Sequence, residues 1–584
     1  MRLPSFVSLL ERGRDVVQRF PWTMAVGTVA AAAAIVATTK GAGEEWGRLT
    51  MVAALSLPLT VALTLLAEER RWTRATAAAV NLAGLAVLGL FYLVWPGLDR
   101  KYEAIRYFQL SAALHLLVAF LPFVGQRETT AFWQYNRRLF LGFLRAYVFS
   151  QVLFVGLAVA LGALDKLFGV DVPAEVYGRM GIVIAFVVNT AIFLAAVPLG
   201  LRALAGDTDY PRVLKVFSQY ILTPLVFIYL VILIAYLVKI VAGGEWPSGW
   251  IGWLVTSVAI AGLLGFLLVH PLRDDPAESW IRTYSRWLFV GLIPAALMLL
   301  VAFWKRILPY GLTELRLLGI LLGIWLLGIA VFYSLSQRAG IRLIPVTLAI
   351  LLLVMLYGPF SVTRFSVGSQ SNRFQELVAA RGERRNEREA SAALRFLLEH
   401  GARREIAAAI PAQLPSLDWE RIADRRHDRD STATQILAVA GIRYVPEWSS
   451  SPNGYFYLSP GTQTATAIDG YEWMARISPH SPAILMGSDS LRVHSDTLGL
   501  ARVMIGGDTI SFDLGALARD IAVDSTAMPR NVADARLRLH GASPRRRALL
   551  ALESLNGRWV GDGVRVHGWS GTLFLGGAAK GRLR

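Results

Sequence analysis

The chain has 584 residues, of which 54% are hydrophobic and only 17% charged, and its formal net charge is +17. Soluble domains carry about 25% charged residues, so this composition indicates a membrane protein. The sequence contains no cysteine, which excludes disulfides, thiolate metal ligands and thiol nucleophiles. Many of the cations flank apolar runs, so we expect a lipid bilayer as their partner and no nucleic acid.

Eleven apolar runs have about the length of a bilayer-crossing helix, which needs about 20 residues. They predict transmembrane helices at 21–38, 49–67, 75–95, 107–124, 140–163, 180–201, 217–241, 250–270, 285–304, 315–335 and 341–358. Arg2, Arg12, Arg14 and Arg19 precede the first run. Because that run lacks a convincing cleavage site, we interpret it as a retained helix and not as a signal peptide.

Lysine and arginine are unevenly divided between the two alternating sets of loops. The richer set includes the N-terminal arginines, "EERRWTR" at 68–74, Arg137 and Arg138. The poorer set includes "GAGEEWG" at 41–47 and "GGEWPSGW" at 243–250. Since short cytoplasmic loops carry the excess of cations, the N-terminus is predicted to be cytoplasmic. Eleven spans then place the chain after 358 outside, whereas ten spans would place it in the cytoplasm.

The composition changes after residue 358. Residues 369–400 read as two charged helices, and from about 440 short alternating strands with Gly, Asp and Asn turns predict an antiparallel β module. The predicted domains are therefore a transmembrane domain (1–358), a helical linker (359–440) and a small, mainly antiparallel β domain (441–584). The predicted fold class is an all-α polytopic membrane bundle followed by a smaller α+β extramembrane domain.

Among the polar side chains inside the apolar runs, we single out Asn81, His115, Gln151 and Asn189. Polar groups at membrane depth are costly, so they form a candidate intramembrane cluster that lines a substrate or proton path. The alternative is that each forms an interhelical hydrogen bond that holds the bundle together.

A polar break at "KRILPYGLTELR" (305–316) separates the ninth and tenth runs. Gly311 permits unusual backbone angles, and Thr313 is a good N-cap for the tenth helix. One hypothesis is a site for an anion or a lipid headgroup at the outer interface. Its candidate residues are Lys305, Arg306, Tyr310, Glu314 and Arg316. The other hypothesis is a capped turn that fixes the two helices, in which Glu314 pairs with Arg306.

The sequence lacks recognisable catalytic and metal-binding motifs. "GWSGT" at 568–572 lacks the last glycine of a nucleophile elbow, and there is no Walker A sequence. Histidines of the C-terminal region, His480, His494, His540 and His567, are scattered without the spacing of metal ligands. We therefore expect no cofactor, no metal and no catalytic residue.

Several stretches together resemble the domain-of-unknown-function 4153 family of bacterial multi-span membrane proteins. They are "FWQYNRRLFLGFLRAYVFSQVLFVGLAVAL" (132–161), "FSQYILTPLVFIYLVILIAYLVKI" (217–240), "EWPSGWIGWLV" (245–255), "RILPYGLTELRLL" (306–318), "SVGSQSNRFQEL" (366–377) and the final "GTLFLGG" (571–577). The resemblance implies a multi-span bacterial inner-membrane protein with an extramembrane C-terminal region, which the odd span count would make periplasmic. It implies no activity and no catalytic residues.

Three functions remain open from the sequence. The first is a membrane scaffold or a sensory or accessory protein whose tail binds a membrane or periplasmic protein. The second is a transporter or flippase of a small or lipid-like solute. The third is an enzyme that acts on lipid-linked glycans at the outer face, for which Glu314 is the strongest candidate residue. The scarcity of intramembrane charge favours the first function.

Overall fold

We describe a computed structural model of the chain. The structure describes residues 6–98, 100–126, 128–207, 209–243, 250–336, 340–380, 384–410, 426–445, 455–460, 468–487, 489–524, 531–532, 534–560 and 563–577. The described chain forms two compact units, Met1–Gln370 and Ser371–Arg584. We call them the helical unit and the C-terminal unit.

The helical unit consists of α-helices joined by short connections. Its helices are α1 (Phe6–Arg19), α2 (Pro21–Ala37), α3 (Glu44–Glu69), α4 (Arg74–Val94), α5 (Lys101–Phe120), α6 (Thr129–Phe168), α7 (Ala174–Val183), α8 (Asn189–Ala195), α9 (Arg212–Val216), α10 (Thr223–Gly243), α11 (Trp250–Val269), α12 (Trp280–Tyr310), α13 (Glu314–Leu335), α14 (Leu343–Val354) and α15 (Val362–Ala379), the last of which contains the boundary between the units. Two π-helical segments, Ile184–Val188 and Phe217–Leu222, join α7 to α8 and α9 to α10.

Within the described residues, nine helices are long and apolar enough to cross a membrane. The number rises to ten if Gly13–Arg19 and Pro21–Ala37, which meet at an angle of 103°, count as one span. The prediction of a mostly helical, multi-span unit is thus confirmed at this coarser level. Of the eleventh predicted span, 341–358, only the 12 residues of α14 are α-helical. A helix of this length reaches only about 18 Å, which is less than the thickness of a bilayer's hydrocarbon core.

The chain nevertheless follows α5 from one end to the other in this region. Arg342, just before α14, donates to the carbonyls of Gln126 and Glu128, which follow the C-terminal end of α5. Beyond the last turn of α14, the Tyr357 ring lies 5.1 Å from the guanidinium carbon of Arg106, in the second turn of α5. The turn at 355–361 therefore completes the distance that α14 alone does not cover.

The C-terminal unit combines helices with two sheets. Its helices are the end of α15, α16 (Arg384–Glu399), α17 (Arg403–Ala409), α18 (Arg426–Val439) and α19 (Leu514–Asp524). Its strands are β1 (Tyr455–Pro460), β2 (Trp473–Ile477), β3 (Ile484–Met486), β4 (Asp489–Ser495), β5 (Leu500–Ile505), β6 (Asp508–Asp513), β7 (Asn531–Val532), β8 (Arg538–Ala542), β9 (Arg546–Val560) and β10 (Gly563–Gly577). The predicted small β module is confirmed, while α19 was missed by the sequence reading.

The strands pair almost entirely antiparallel. One sheet has the order β2-β10-β9-β1-β7 with β8 also paired to β9, and the other has the order β3-β4-β5-β6. Only β1 and β7 run parallel among the described strand pairs. Leu458, Leu491, Val503, Leu550 and Leu573 are fully buried in a core to which both sheets contribute. The "GTLFLGG" stretch (571–577) forms the second half of β10.

Close helix packing in the helical unit depends on glycines at particular positions. Gly27 of α2 faces the π-helical segment, and a Cβ added there would lie 2.8 Å from the Phe186 carbonyl oxygen. Because that neighbour is backbone, it cannot rotate away as a side chain can. The approach of α2 to this segment therefore requires a residue without a Cβ.

We expect Gly27→Ala to lower the free energy of unfolding by about 1–3 kcal/mol, since the added methyl overpacks a closed contact. The measurement is the thermal unfolding midpoint of the purified chain in detergent. Gly89→Ala is the matched control, because nothing lies within 4 Å of a Cβ added at that position of α4. Equal midpoints for the two variants would contradict the contact.

Candidate functional site

The turn between α12 and α13 is closed by hydrogen bonds to its backbone. Gly311 has φ +67°, in the left-handed region that favours glycine. Arg316 Nη1 donates to the carbonyls of Tyr310 (3.1 Å) and Gly311 (2.8 Å), and its guanidinium carbon lies 5.6 Å from the centre of the Tyr310 ring. Arg316 therefore holds the turn from the side of α13.

Helix α15 holds the same turn from a second direction. Gln370 Nε2 donates to the carbonyls of Tyr310 (3.0 Å) and Leu312 (2.8 Å). The Leu312 N–H donates to Ser369 Oγ at 3.1 Å. Thr313 occupies the N-cap position of α13, but its side chain makes no capping hydrogen bond. The side chains that bind the backbone of this turn are thus those of Arg316, Ser369 and Gln370, whereas the Thr313 hydroxyl does not cap α13.

The remaining residues of the predicted headgroup site surround this turn. Glu314 begins α13 and is only 5% exposed, whereas Lys305 is exposed and Arg306 is half-buried. Ion pairs among the described residues do not include one between Arg306 and Glu314. The five candidate residues thus lie around one turn. Binding of an anion or a lipid headgroup there stays a prediction.

The four intramembrane polar residues have separate environments. Asn81 is 1% exposed and donates to the Ala77 carbonyl of its own helix. His115 is exposed on α5, with Nδ1 2.8 Å from the Ser111 carbonyl oxygen. Asn189 accepts a hydrogen bond from Ser150 at 3.2 Å, and Gln151 is exposed on α6. Hydrogen bonds of the described residues do not join any two of the four.

Sequence reasoning missed charged clusters at both ends of the helical bundle, and the first of them lies at the end that we call the Arg19 end. Arg19 Nε and Nη2 each lie 2.8 Å from a carboxylate oxygen of Glu68, at the end of α3. The same guanidinium donates to the carbonyls of Val197 (2.8 Å) and Pro198 (2.9 Å), just after α8. One side chain thereby joins the ends of three helices.

A second cluster at the Arg19 end holds the loop before α9. Arg137 is 8% exposed, and its Nη1 donates to the Asp209 carbonyl (2.7 Å) and carboxylate (3.3 Å). Arg138 pairs with Asp207 at 2.7 Å, and Gln134 Nε2 donates to the backbone carbonyls of both aspartates. Burial acts against ionisation of Asp207, but the Asp209 N–H and the Arg138 guanidinium together hold its pKa below the ordinary value.

A third cluster surrounds Glu278, in the short connection before α12. Lys215 Nζ lies 2.5 Å from Glu278 Oε1, while Trp280 Nε1 (2.8 Å) and Gln219 Nε2 (3.1 Å) donate to Oε2. The Lys215 ammonium and the Trp280 N–H lower the pKa of the Glu278 carboxyl, although burial opposes them. Because Gln219 belongs to the π-helical segment Phe217–Leu222, this carboxylate fixes that segment to α12.

The opposite end of the bundle, which we call the Trp95 end, carries an acidic and aromatic cluster. Glu103 is buried and pairs with Arg106 at 2.7 Å, one helical turn later. The Arg106 guanidinium carbon lies 5.3 Å from the Tyr102 ring centre and 5.1 Å from that of Tyr357. Trp95 Nε1 donates to the Glu103 carbonyl. The i, i+3 spacing of Glu103 and Arg106 was a local signal that sequence reasoning could have used.

These clusters consist of ion pairs between carboxylates and cations and of hydrogen bonds to backbone groups. Such contacts stabilise the ends of helices and the loops that join them. Within the described parts of the chain, no group of three or more His, Asp or Glu side chains could hold a metal ion. The partners in the pairs Arg137–Asp209 and Arg19–Glu68 are 72 and 49 residues apart in the sequence. No local sequence pattern therefore indicates these two ion pairs.

Glu278→Gln is expected to lower the free energy of unfolding at neutral pH by about 1–3 kcal/mol, since a charged hydrogen-bond acceptor for Lys215 is lost. The folded pKa of Glu278 is below its ordinary value of 4.5, so its stabilisation is fully present above that pH and is lost as the pH falls through the folded pKa. The variant should therefore show a smaller loss of melting temperature on acidification than the wild type.

The measurement is the melting temperature in detergent between about pH 7 and about pH 3, a range that covers the titration of carboxylates. Glu11→Gln serves as the control, because Glu11 is an exposed residue of α1. A Glu278→Gln variant with the same pH profile as this control would contradict the stabilising role of the ionised Glu278 carboxylate.

Comparison with known proteins gives a family without a known activity. Residues 24–379 match the family model described as "Domain of unknown function (DUF4153)". This range runs from within α2 to the end of α15. The "GTLFLGG" stretch at 571–577 lies outside it, so its resemblance to the end of the family pattern is not supported.

A curated relative, "Uncharacterized protein PM1469" of Pasteurella multocida (strain Pm70), is 23% identical over 332 residues, which are 56% of this chain and 55% of that protein. The matched region thus spans only about half of the relative's length. No solved structure matches the chain. Since the family model covers well over half of the sequence, the chain belongs to the DUF4153 family.

Proposed function

We propose that the protein is an integral inner-membrane scaffold or accessory protein whose C-terminal unit binds a protein partner on the periplasmic side. In this proposal the Arg19 end of the bundle faces the cytoplasm and the Trp95 end faces outward. The multi-span helical unit and the family membership support the membrane location.

The path of the chain from α13 to α15 supports the proposed orientation of the bundle in the membrane. Arg342 binds carbonyls beyond the C-terminal end of α5, while Tyr357 contacts Arg106 near the N-terminal end of the same helix. Ser369 and Gln370 then bind the turn after α12, which lies at the Trp95 end. The chain therefore leaves the helical unit at the end opposite to Arg19. The cations near the Arg19 end favour the cytoplasm for that end.

The scaffold role is supported by what the polar residues of the bundle do. The charged clusters at its two ends are engaged in ion pairs and in hydrogen bonds to the backbone. Asn81, His115, Gln151 and Asn189 lie in separate environments, which argues against one continuous polar path. An anchor needs a stable bundle, whereas a carrier needs a shared polar cavity.

The C-terminal unit offers surface for a partner. Strand β2 is at the edge of its sheet, and its Trp473 and Met474 are 48% and 71% exposed. Edge strands with exposed apolar side chains are a common site of pairing with another protein. This strand is therefore our candidate contact for a membrane or periplasmic protein.

The flippase or transporter alternative is favoured by one observation. Two successive candidate spans contain π-helical segments, Ile184–Val188 and Phe217–Leu222. Such segments occur often at functional sites, where they permit local rearrangement. The Glu278 cluster, which fixes the second segment, weighs against free movement there.

The orientation is tested by labelling single cysteines, because the natural sequence has none. In spheroplasts, we expect a membrane-impermeant maleimide to modify Ser511→Cys, an exposed position of β6, without lysis. Ala75→Cys, exposed at the start of α4, should react only after lysis. The reverse pattern, or modification of both cysteines only after lysis, would refute the periplasmic placement of the C-terminal unit.

The partner is tested with a photoreactive amino acid at Met474 of the full chain in native membranes. We expect a discrete adduct with another protein, because the exposed edge of β2 would lie in the interface. Leu498 is the matched control, since it is 69% exposed in the turn between β4 and β5. Absence of an adduct at Met474, together with flipping of a labelled phospholipid by the purified chain in vesicles, would favour the alternative.

A further inference from the structure

Helix α6 is covered by the bundle at its beginning and bare in its second half. Its early residues Phe132, Trp133 and Tyr135 are buried in the main core of the helical unit. From residue 151 to 168 its side chains are exposed or half-buried, with α7 packed on one side, where Phe154 contacts Gly181. Most of this surface consists of valine, leucine and alanine and suits an apolar environment.

Gln151 lies at the start of this bare surface and near the middle of α6. It is 14 residues after Arg137 and 14 before Asp165, which corresponds to about 21 Å of helix in each direction. The preceding residue, Ser150, is buried and donates to Asn189 of α8. Gln151 is exposed, and no hydrogen bond joins it to any side chain of the described chain. Its amide therefore faces the hydrocarbon region without a visible partner.

An unpaired amide at membrane depth is costly, and glutamine side chains can associate transmembrane helices by hydrogen bonding. The neighbours of Gln151 along the helix have the spacing of a packing seam. Leu144, Val148, Gln151, Val155 and Ala158 follow one another at intervals of four, three, four and three residues. This 3.5-residue repeat is the pattern of a left-handed helix pair.

We propose that this stripe, Leu144, Val148, Gln151, Val155 and Ala158, is the interface with a second copy of the chain. All copies of a membrane protein have the same orientation, so a two-fold axis along the membrane normal brings each residue near its own counterpart at equal depth. A glutamine amide is both donor and acceptor, so two Gln151 side chains satisfy each other. Ala158 permits close approach of the two helices.

The experiment uses the cysteine-free full chain in native membranes. Val155→Cys is expected to form a disulfide-linked species of twice the chain mass on mild oxidation, because Val155 is exposed on the stripe. Leu153→Cys is the matched control, since it is 39% exposed at a similar depth but lies on another side of the helix. We expect little cross-linking from this control.

Gln151→Leu in the Val155→Cys chain should reduce cross-linking about threefold or more, as expected for the loss of an interhelical hydrogen bond, and Gln151→Asn should restore part of it. Because Gln151 is exposed, neither change should alter the expression or melting temperature of the chain. Equal cross-linking at Leu153 and Val155, an adduct with a different protein only, or no effect of Gln151→Leu would each overturn the proposal.

Discussion

The helical unit depends on how its charged side chains are neutralised at the ends of the bundle. Arg19 illustrates the constraint, because its guanidinium binds both oxygens of Glu68 and two backbone carbonyls after α8. An ionised group near an apolar slab is tolerated only when it is paired and its hydrogen bonds are made. Helices α1, α3 and α8 are held together at this one point, immediately before α2 begins at Pro21.

The same rule explains the connections that follow. The loop before α9 is held by Arg137 and Arg138, and Glu278 fixes the π-helical segment next to it. At the other end, Arg316, Ser369 and Gln370 fix the turn after α12. The family match, residues 24–379, includes all of these connections. In the proposed scaffold role, function depends on surfaces outside these ion pairs and hydrogen bonds.

Much of the fold could be predicted from local sequence because the bilayer imposes a length and a composition on each helix. Helix α13 begins at Glu314 as expected from Thr313, although the threonine side chain makes no cap. Helix α14 was predicted too long, because apolar content does not reveal a helix that ends at Val354 and continues as a turn. The 103° bend before α2 likewise has no signal in hydropathy; it lies where Pro21 begins α2 and where Arg19 binds the distant Glu68.

The sequence by itself determined that this is a multi-span protein with a small β module, and it located the polar residues within the spans, because apolar run length and strand alternation are local properties. Only the tertiary structure decided which of those polar residues have partners. Asn189 has Ser150, while Gln151, the next residue of the same helix, points away from the bundle. Consecutive helical residues differ by about 100° in direction, so their surroundings depend on which neighbouring helices pack there.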